Sequence, residues 1–307
     1  MEADYKTFYS YYLKEFHLVK AIYLKTLLSS EKELNEKIKK LERGVSLTDN
    51  TKFIIQADLR QNYFHSIETF FELFFALLPE NNIVPDNKSI IKRLSTSNWR
   101  KNYDRIEAIS NDEMKLDFLD NHISYLNNEV SIGHYLFYLG VFSREKFPNE
   151  VFDSINLSIE AIKKGIKIIA NDFSQRDEYN AYKHAIRIFP SFKSLHVLNA
   201  ETMEETINWD ISNSASYQLY DDKNRKTTLK TKLFDSERDY QMTYFCSNMI
   251  YSMIFYRDLV FCDRKREENE KTFAMRFFSS DAIIKCSEHN VEIQNLSFST
   301  EEIKGSG

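Results

Sequence analysis

The sequence predicts a mainly α protein: a helical bundle with a β-hairpin insertion and a short C-terminal extension. Three observations carry this. Gly (6) and Pro (4) are scarce in a chain of 307 residues. Both residues punctuate turns and strand connections, so their scarcity favours long helices with few tight joints. Apolar residues recur at helical spacing, most cleanly at Ile155, Ile159, Ile162, Ile166 and Ile169. One stretch behaves otherwise. "SASYQLYDDKNRKTTLKTKLF" alternates, is rich in Thr, Tyr and Leu, and carries turn residues in its middle.

In chain order, residues 4–42 are helical in character, with Ser29 or Ser30 as a cap and Gly44 as a stop. Asp49 or Thr51 opens a long helix over about 51–78, ended by Pro79. "ENNIVPDNKS" is a loop, "SIIKRLSTSNW" a short helix, and 99–128 a helix of uneven quality. "EVSIGHYLFYLGVFSREKF" has helical spacing up to Pro148. Helices follow over 149–172 and 174–189, the second ended by Pro190, then the hairpin at roughly 214–234 and a helix at about 236–262. The plan is one α-rich domain, 1–270, with the hairpin inserted at about 212–235, and an extension over 271–304 that reads as one or two short strands.

Composition narrows the chemistry. Hydrophobic residues at 42% and charged residues at 28% are the balance of a globular protein, and the net charge is −5. The glycines do not cluster, so neither a P-loop nor a dinucleotide fingerprint is present. The three cysteines lie far apart with no C-x-x-C pair, which speaks against structural zinc and a disulfide framework. The N-terminus lacks an apolar signal core, and the most apolar run, "FFELFFALL", is too short to span a bilayer. A cytoplasmic protein without a membrane partner, metal or cofactor is the expectation.

Two stretches carry polar groups in a repeated pattern, "RQNYFH" (60–65) and "YNAYKH" (179–184). On a helical wheel at about 100° per residue, Arg60 falls inside the apolar stripe of Phe53, Phe64, Ile67 and Phe71. His65 stands about 140° around, on the polar face. A cation in an apolar stripe costs free energy unless it meets a carboxylate. One reading is therefore a structural ion pair with an acid on another helix. The other is a fixed cation beside a proton carrier. In the second stretch Arg176, Asn180, Lys183, His184 and Arg187 share one face at spacings of three and four. Asp177 lies at its edge and Glu178 points away, so the face is short of balancing acid. It reads either as a solvated face or as an anion site for a polyanion such as RNA.

"RQNYFH", and "YNAYKH" with Tyr179 in place of the Arg, resemble the R-x4-H motif of the HEPN superfamily. Those proteins are small helical bundles of bacterial toxins, phage-defence proteins and RNA-processing factors. The resemblance covers residues 50–190. It implies a metal-independent endoribonuclease of toxin–antitoxin or antiviral defence type, with a site commonly formed across a dimer. His184, Asn180, His65 and Arg60 are then the catalytic residues, the His moving protons and the Arg stabilising charge on phosphorus. Arg176, Lys183 and Arg187 bind the RNA. The abundance of Asn, Lys and Ile agrees with a bacterial source. The alternative is a non-catalytic interaction or regulatory module that binds a protein, such as an antitoxin, or RNA. A di-metal carboxylate site is disfavoured, because H-x-x-E occurs at 65–68 but no E-x-x-H pair does.

Overall fold

The computed structural model describes residues 4–40, 50–174, 176–184, 187–199, 201–221, 223, 225–262, 275–289 and 295–301. Helix exceeds strand, as the scarcity of Gly and Pro requires. The helices are α1 (Tyr5–Tyr11), α2 (Phe16–Ser29), α3 (Glu31–Lys39), α4 (Thr51–Leu77), α5 (Asn87–Ser95), α6 (Trp99–Ser110), α7 (Ile132–Phe137), α8 (Asn149–Ser174), α9 (Arg176–His184), α10 (Ser236–Phe261) and α11 (Ser280–Ser287). The strands are β1 (His122–Tyr125), β2 (Asn128–Ser131), β3 (Ile188–Pro190), β4 (Ser194–Leu198), β5 (Glu205–Asp210), β6 (Ser214–Asp221), β7 (Lys226–Leu233) and β8 (Asn295–Glu301). Among the described residues no helix is long and apolar enough to cross a membrane.

The long elements match the sequence reading closely. Helices α4, α8 and α10 and the β6–β7 hairpin fall where their periodicity puts them. Several shorter elements differ. The expected helix over 99–128 stops at Ser110, and Asp112 takes a left-handed backbone (φ 61°) just beyond it. A 3-10 turn (Leu116–Asp120) and the β1–β2 hairpin fill the rest. The helical stretch expected up to Pro148 is cut to α7, and Gly140 at φ 90° lets the chain turn away. Helix α9 ends at His184 rather than near Pro190, so Arg187 lies beyond it and the next residues form β3. In the extension, the first expected strand is instead helix α11, capped by the Ser279 hydroxyl accepting from the Ala282 N–H. Gly44 and Asp49, expected at helix ends, lie outside the described residues.

The chain divides into two compact units. One comprises residues 1–19, 64–174 and 241–288. It is helical, with the β1–β2 hairpin attached. Its core holds the rings of Phe70, Phe71, Phe74 and Phe75 from α4. Arg257 is fully buried there, and its Nη1 donates to the carbonyls of Leu136 (3.1 Å) and Met253 (2.8 Å). Helix α8 presents buried Ile155, Ile159, Ile162, Ile166 and Ile169, the stripe read from the sequence. Gly165 lies in the same buried face because the Phe245 ring of α10 occupies the space a Cβ would need.

The other unit comprises residues 20–63, 175–240 and 289–307. Its centre is an antiparallel sheet in the order β3-β6-β7-β8, with β4 and β5 paired separately. Strand β8, from the C-terminal extension, pairs with β7 from Lys226↔Glu301 to Lys232↔Asn295. Helix α9 packs on β6. Ala21, Leu24, Ile55 and Leu59 form a small apolar cluster between α2 and α4.

Gly165→Ala is expected to overpack the α8–α10 contact and destabilise the protein by roughly 1–3 kcal/mol. Urea denaturation checks this; an unchanged midpoint would mean Phe245 swings aside without cost.

Candidate functional site

Arg60 sits between Leu59 and Tyr63 on α4 and is only 5% exposed. Its stripe position drives the guanidinium into the interior, and the interior answers with charge. Nε donates to Glu178 Oε1 at 2.8 Å and Nη2 to Glu178 Oε2 at 3.3 Å. Nη1 donates to Asp239 Oδ1 at 2.6 Å. Lys232 Nζ reaches the second oxygen of Glu178 at 2.7 Å. Two cations thus face two carboxylates, all at least nine-tenths buried. The acids arrive by a common route. Glu178 lies in the first turn of α9 and Asp239 in the first turn of α10, where helix dipoles favour carboxylates. Lys232 arrives by strand alternation on β7, opposite Ala215.

The two carboxyls respond differently to this setting. Burial works against ionisation of Glu178, but the charges of Arg60 and Lys232 outweigh it and hold its pKa at about 2. For Asp239 burial wins over Arg60, and its pKa is raised. Burial also pushes the phenol of Tyr182 well up, with the Glu178 charge adding to it. The crevice lined by these groups holds only about 10 Å³, room for about one water. The ion-pair reading of Arg60 is what its contacts describe.

The remaining sequence-derived candidates separate. His65 is half-buried on α4 and belongs to the helical unit, whereas Arg60 and α9 belong to the sheet-containing unit. Asn180 is half-buried, and Lys183 is exposed with its ammonium 5.4 Å from the Tyr179 ring. Arg187 is exposed but lies past the end of α9, so the spacing of three and four stops at His184. The side chains of Arg176 and His184 lie outside the described residues. Beyond α9, Phe189 (40% exposed) and Phe192 (66%) present aromatic rings to solvent, and Lys193 is exposed beside them.

Sequence reasoning did not single out Lys232 or Asp239. The only signal was indirect: an Arg in an apolar stripe needs an acid, and acids favour first turns. It also passed over a cleft in the helical unit, lined by Glu129, His134 and Arg144 among others, because "SIGHYLF" reads as plain apolar helix. No family model matches the chain, and neither a curated protein nor a solved structure matches it.

Arg60→Ala is expected to cost about 3–5 kcal/mol, because it takes the guanidinium from two buried carboxyls and leaves Glu178 with Lys232 as its cation. Urea denaturation at neutral pH measures it, and a loss under 1 kcal/mol would contradict the network. A second outcome concerns acid. The pKa of Glu178 is depressed on folding from 4.5 to about 2. Its contribution, on the order of 3 kcal/mol, is therefore complete above pH 4.5 and fades as pH falls towards 2. Asp239 acts in the opposite sense, its cost fading as it protonates. Glu178→Gln should flatten the acid limb of the stability profile; parallel wild-type and variant profiles would show that Glu178 does not govern it.

Proposed function

We propose that the chain is an RNA-binding module whose contact surface is the end of α9 and the segment that follows it. One observation carries this reading: of the two acids in the first turn of α9, Asp177 stays at the surface and Glu178 is withdrawn, which tips the exposed charge of α9 and the segment after it towards cations. Glu178 is turned inward and spent on Arg60 and Lys232, while Lys183 and Arg187 face solvent. The cations are interleaved with the exposed rings of Phe189 and Phe192. Cations that hold phosphate beside rings that stack on unpaired bases are the chemistry of single-stranded RNA recognition. The β6–β7 hairpin of the same unit adds exposed Lys223 and Arg225. In this reading Arg60 is structural: through Glu178 it anchors the helix that presents the cations.

The endoribonuclease reading places proton transfer on His184 with Asn180 beside it. It is favoured by the spacing of these two residues, four apart on α9 with Asn180 half-buried. Its charge-stabilising group would be Lys183 or Arg187 rather than Arg60, whose hydrogen bonds go to Glu178 and Asp239. RNA binding is common to both readings, and the same assay separates them.

The test is fluorescence anisotropy of a labelled single-stranded RNA across salt concentrations, in EDTA, with the RNA then run on a gel. Each phosphate contact should contribute a log–log slope of about −0.7. The double variant Lys183→Ala, Arg187→Ala should flatten the slope by roughly 1–2 units and leave the melting temperature unchanged. Intact RNA on the gel supports the binding module, and fragments that vanish with His184→Ala support the nuclease. Salt-independent binding, or an unchanged slope in the double variant, would return this face to ordinary solvated surface.

A further inference from the structure

The helical unit holds a cleft of about 450 Å³ between the β1–β2 hairpin, the segment after α7 and the start of α8. Its lining has three features. The first is His134, which is 8% exposed. Its Nε2 lies 2.8 Å from the Val141 carbonyl and must donate to it. The ring is thereby fixed in the tautomer whose Nδ1 is an acceptor, and among the described residues nothing hydrogen-bonds that Nδ1. Burial lowers the His134 pKa to about 4, against the pull of the Val141 bond, so the imidazole is neutral at neutral pH. Phe142 and Phe152 pack around it, their centroids 5.5 and 6.1 Å from the imidazole.

The second feature is which carboxylates remain available. Asp120 and Glu160 line the cleft, but both are bound by Lys163. Glu129 is exposed and has no ion-pair partner among the described residues. The third is Arg144, also exposed and without an acid partner among the described residues. Its guanidinium lies 5.5 Å over the Phe152 ring, which holds it at the cleft wall.

We propose that this cleft binds a small zwitterion with an apolar body, the amino-acid class of ligand. An ammonium group has three donors and no acceptor, and the lining offers a neutral buried acceptor at His134 and a free carboxylate at Glu129. A carboxylate matches the planar fork of Arg144. The rings of Phe142 and Phe152 supply the apolar wall for the body. A simple amine would leave Arg144 unused, and a simple acid would leave Glu129 and His134 unused.

Titration calorimetry at neutral pH with three probes decides the matter: L-phenylalanine, phenethylamine and 3-phenylpropanoate. Phenylalanine should bind at least tenfold more tightly than either singly charged probe. Glu129→Gln should erase its advantage over 3-phenylpropanoate, and Arg144→Gln its advantage over phenethylamine. Both residues are exposed, so both variants should keep the wild-type melting temperature. No heat with any probe, equal affinity for phenylalanine and a singly charged probe, or a wild-type ranking in both variants would overturn the proposal. Both variants lie in the helical unit and leave the RNA salt slope as a separate reading.

Discussion

The sheet-containing unit depends on how one guanidinium is neutralised. Arg60 is buried, and a buried cation without partners costs several kcal/mol. The structure supplies Glu178 and Asp239 from the first turns of two different helices, and Lys232 from a strand adds a second cation, paired with Glu178. The resulting set is neutral and directional. Apolar packing such as the Ala21–Leu24–Ile55–Leu59 cluster tolerates small shifts. Hydrogen bonds of 2.6 to 2.8 Å do not. The network therefore ties the start of α9, the start of α10 and one face of β7 to the first half of α4.

The internal use of charge also decides what the surface displays. With Glu178 spent inside, Asp177 is the acid that α9 leaves exposed, beside exposed Lys183, and the segment after it displays Arg187, Lys193 and the rings of Phe189 and Phe192. The helical unit follows the same logic. Lys163 consumes Asp120 and Glu160, and Glu129 and Arg144 remain outward with no internal partner among the described residues. A count of charged residues along the chain cannot reveal this, because a spent carboxylate and an available one look the same in sequence.

Legibility varied with element length and with the kind of signal. Helices α4, α8 and α10 extend for many turns, so periodicity and flanking Pro or polar residues located them. The β6–β7 hairpin announced itself by alternation and a polar turn. The β1–β2 hairpin did not, because its turn places Leu126 and Asn127 at positive φ (49° and 61°). The usual turn signal there is Asn-Gly or Asp-Gly, and a Leu in that position carries none. Strands β4 and β5 are short and, among the described residues, form a two-stranded sheet of their own, so no wider alternation marks them. Helix α11 was hidden by its β-branched Ile283 and Ile284, where the Ser279 cap outweighed β propensity.

What the sequence determined by itself was local. Scarce Gly and Pro, apolar residues at helical spacing and one alternating stretch made the chain mainly α with an inserted hairpin. An Arg in an apolar stripe made a buried acid necessary. The tertiary structure alone decided which acids met it, 118 and 179 residues away along the chain. It also placed β8 beside β7, ended α9 at His184 so that Arg187 falls outside the stripe, and opened the cleft around His134. The physical reason is range. Periodicity and capping act within a few residues and are written in neighbouring letters. The partner of a buried charge and the walls of a cleft come from segments that meet only when the chain folds.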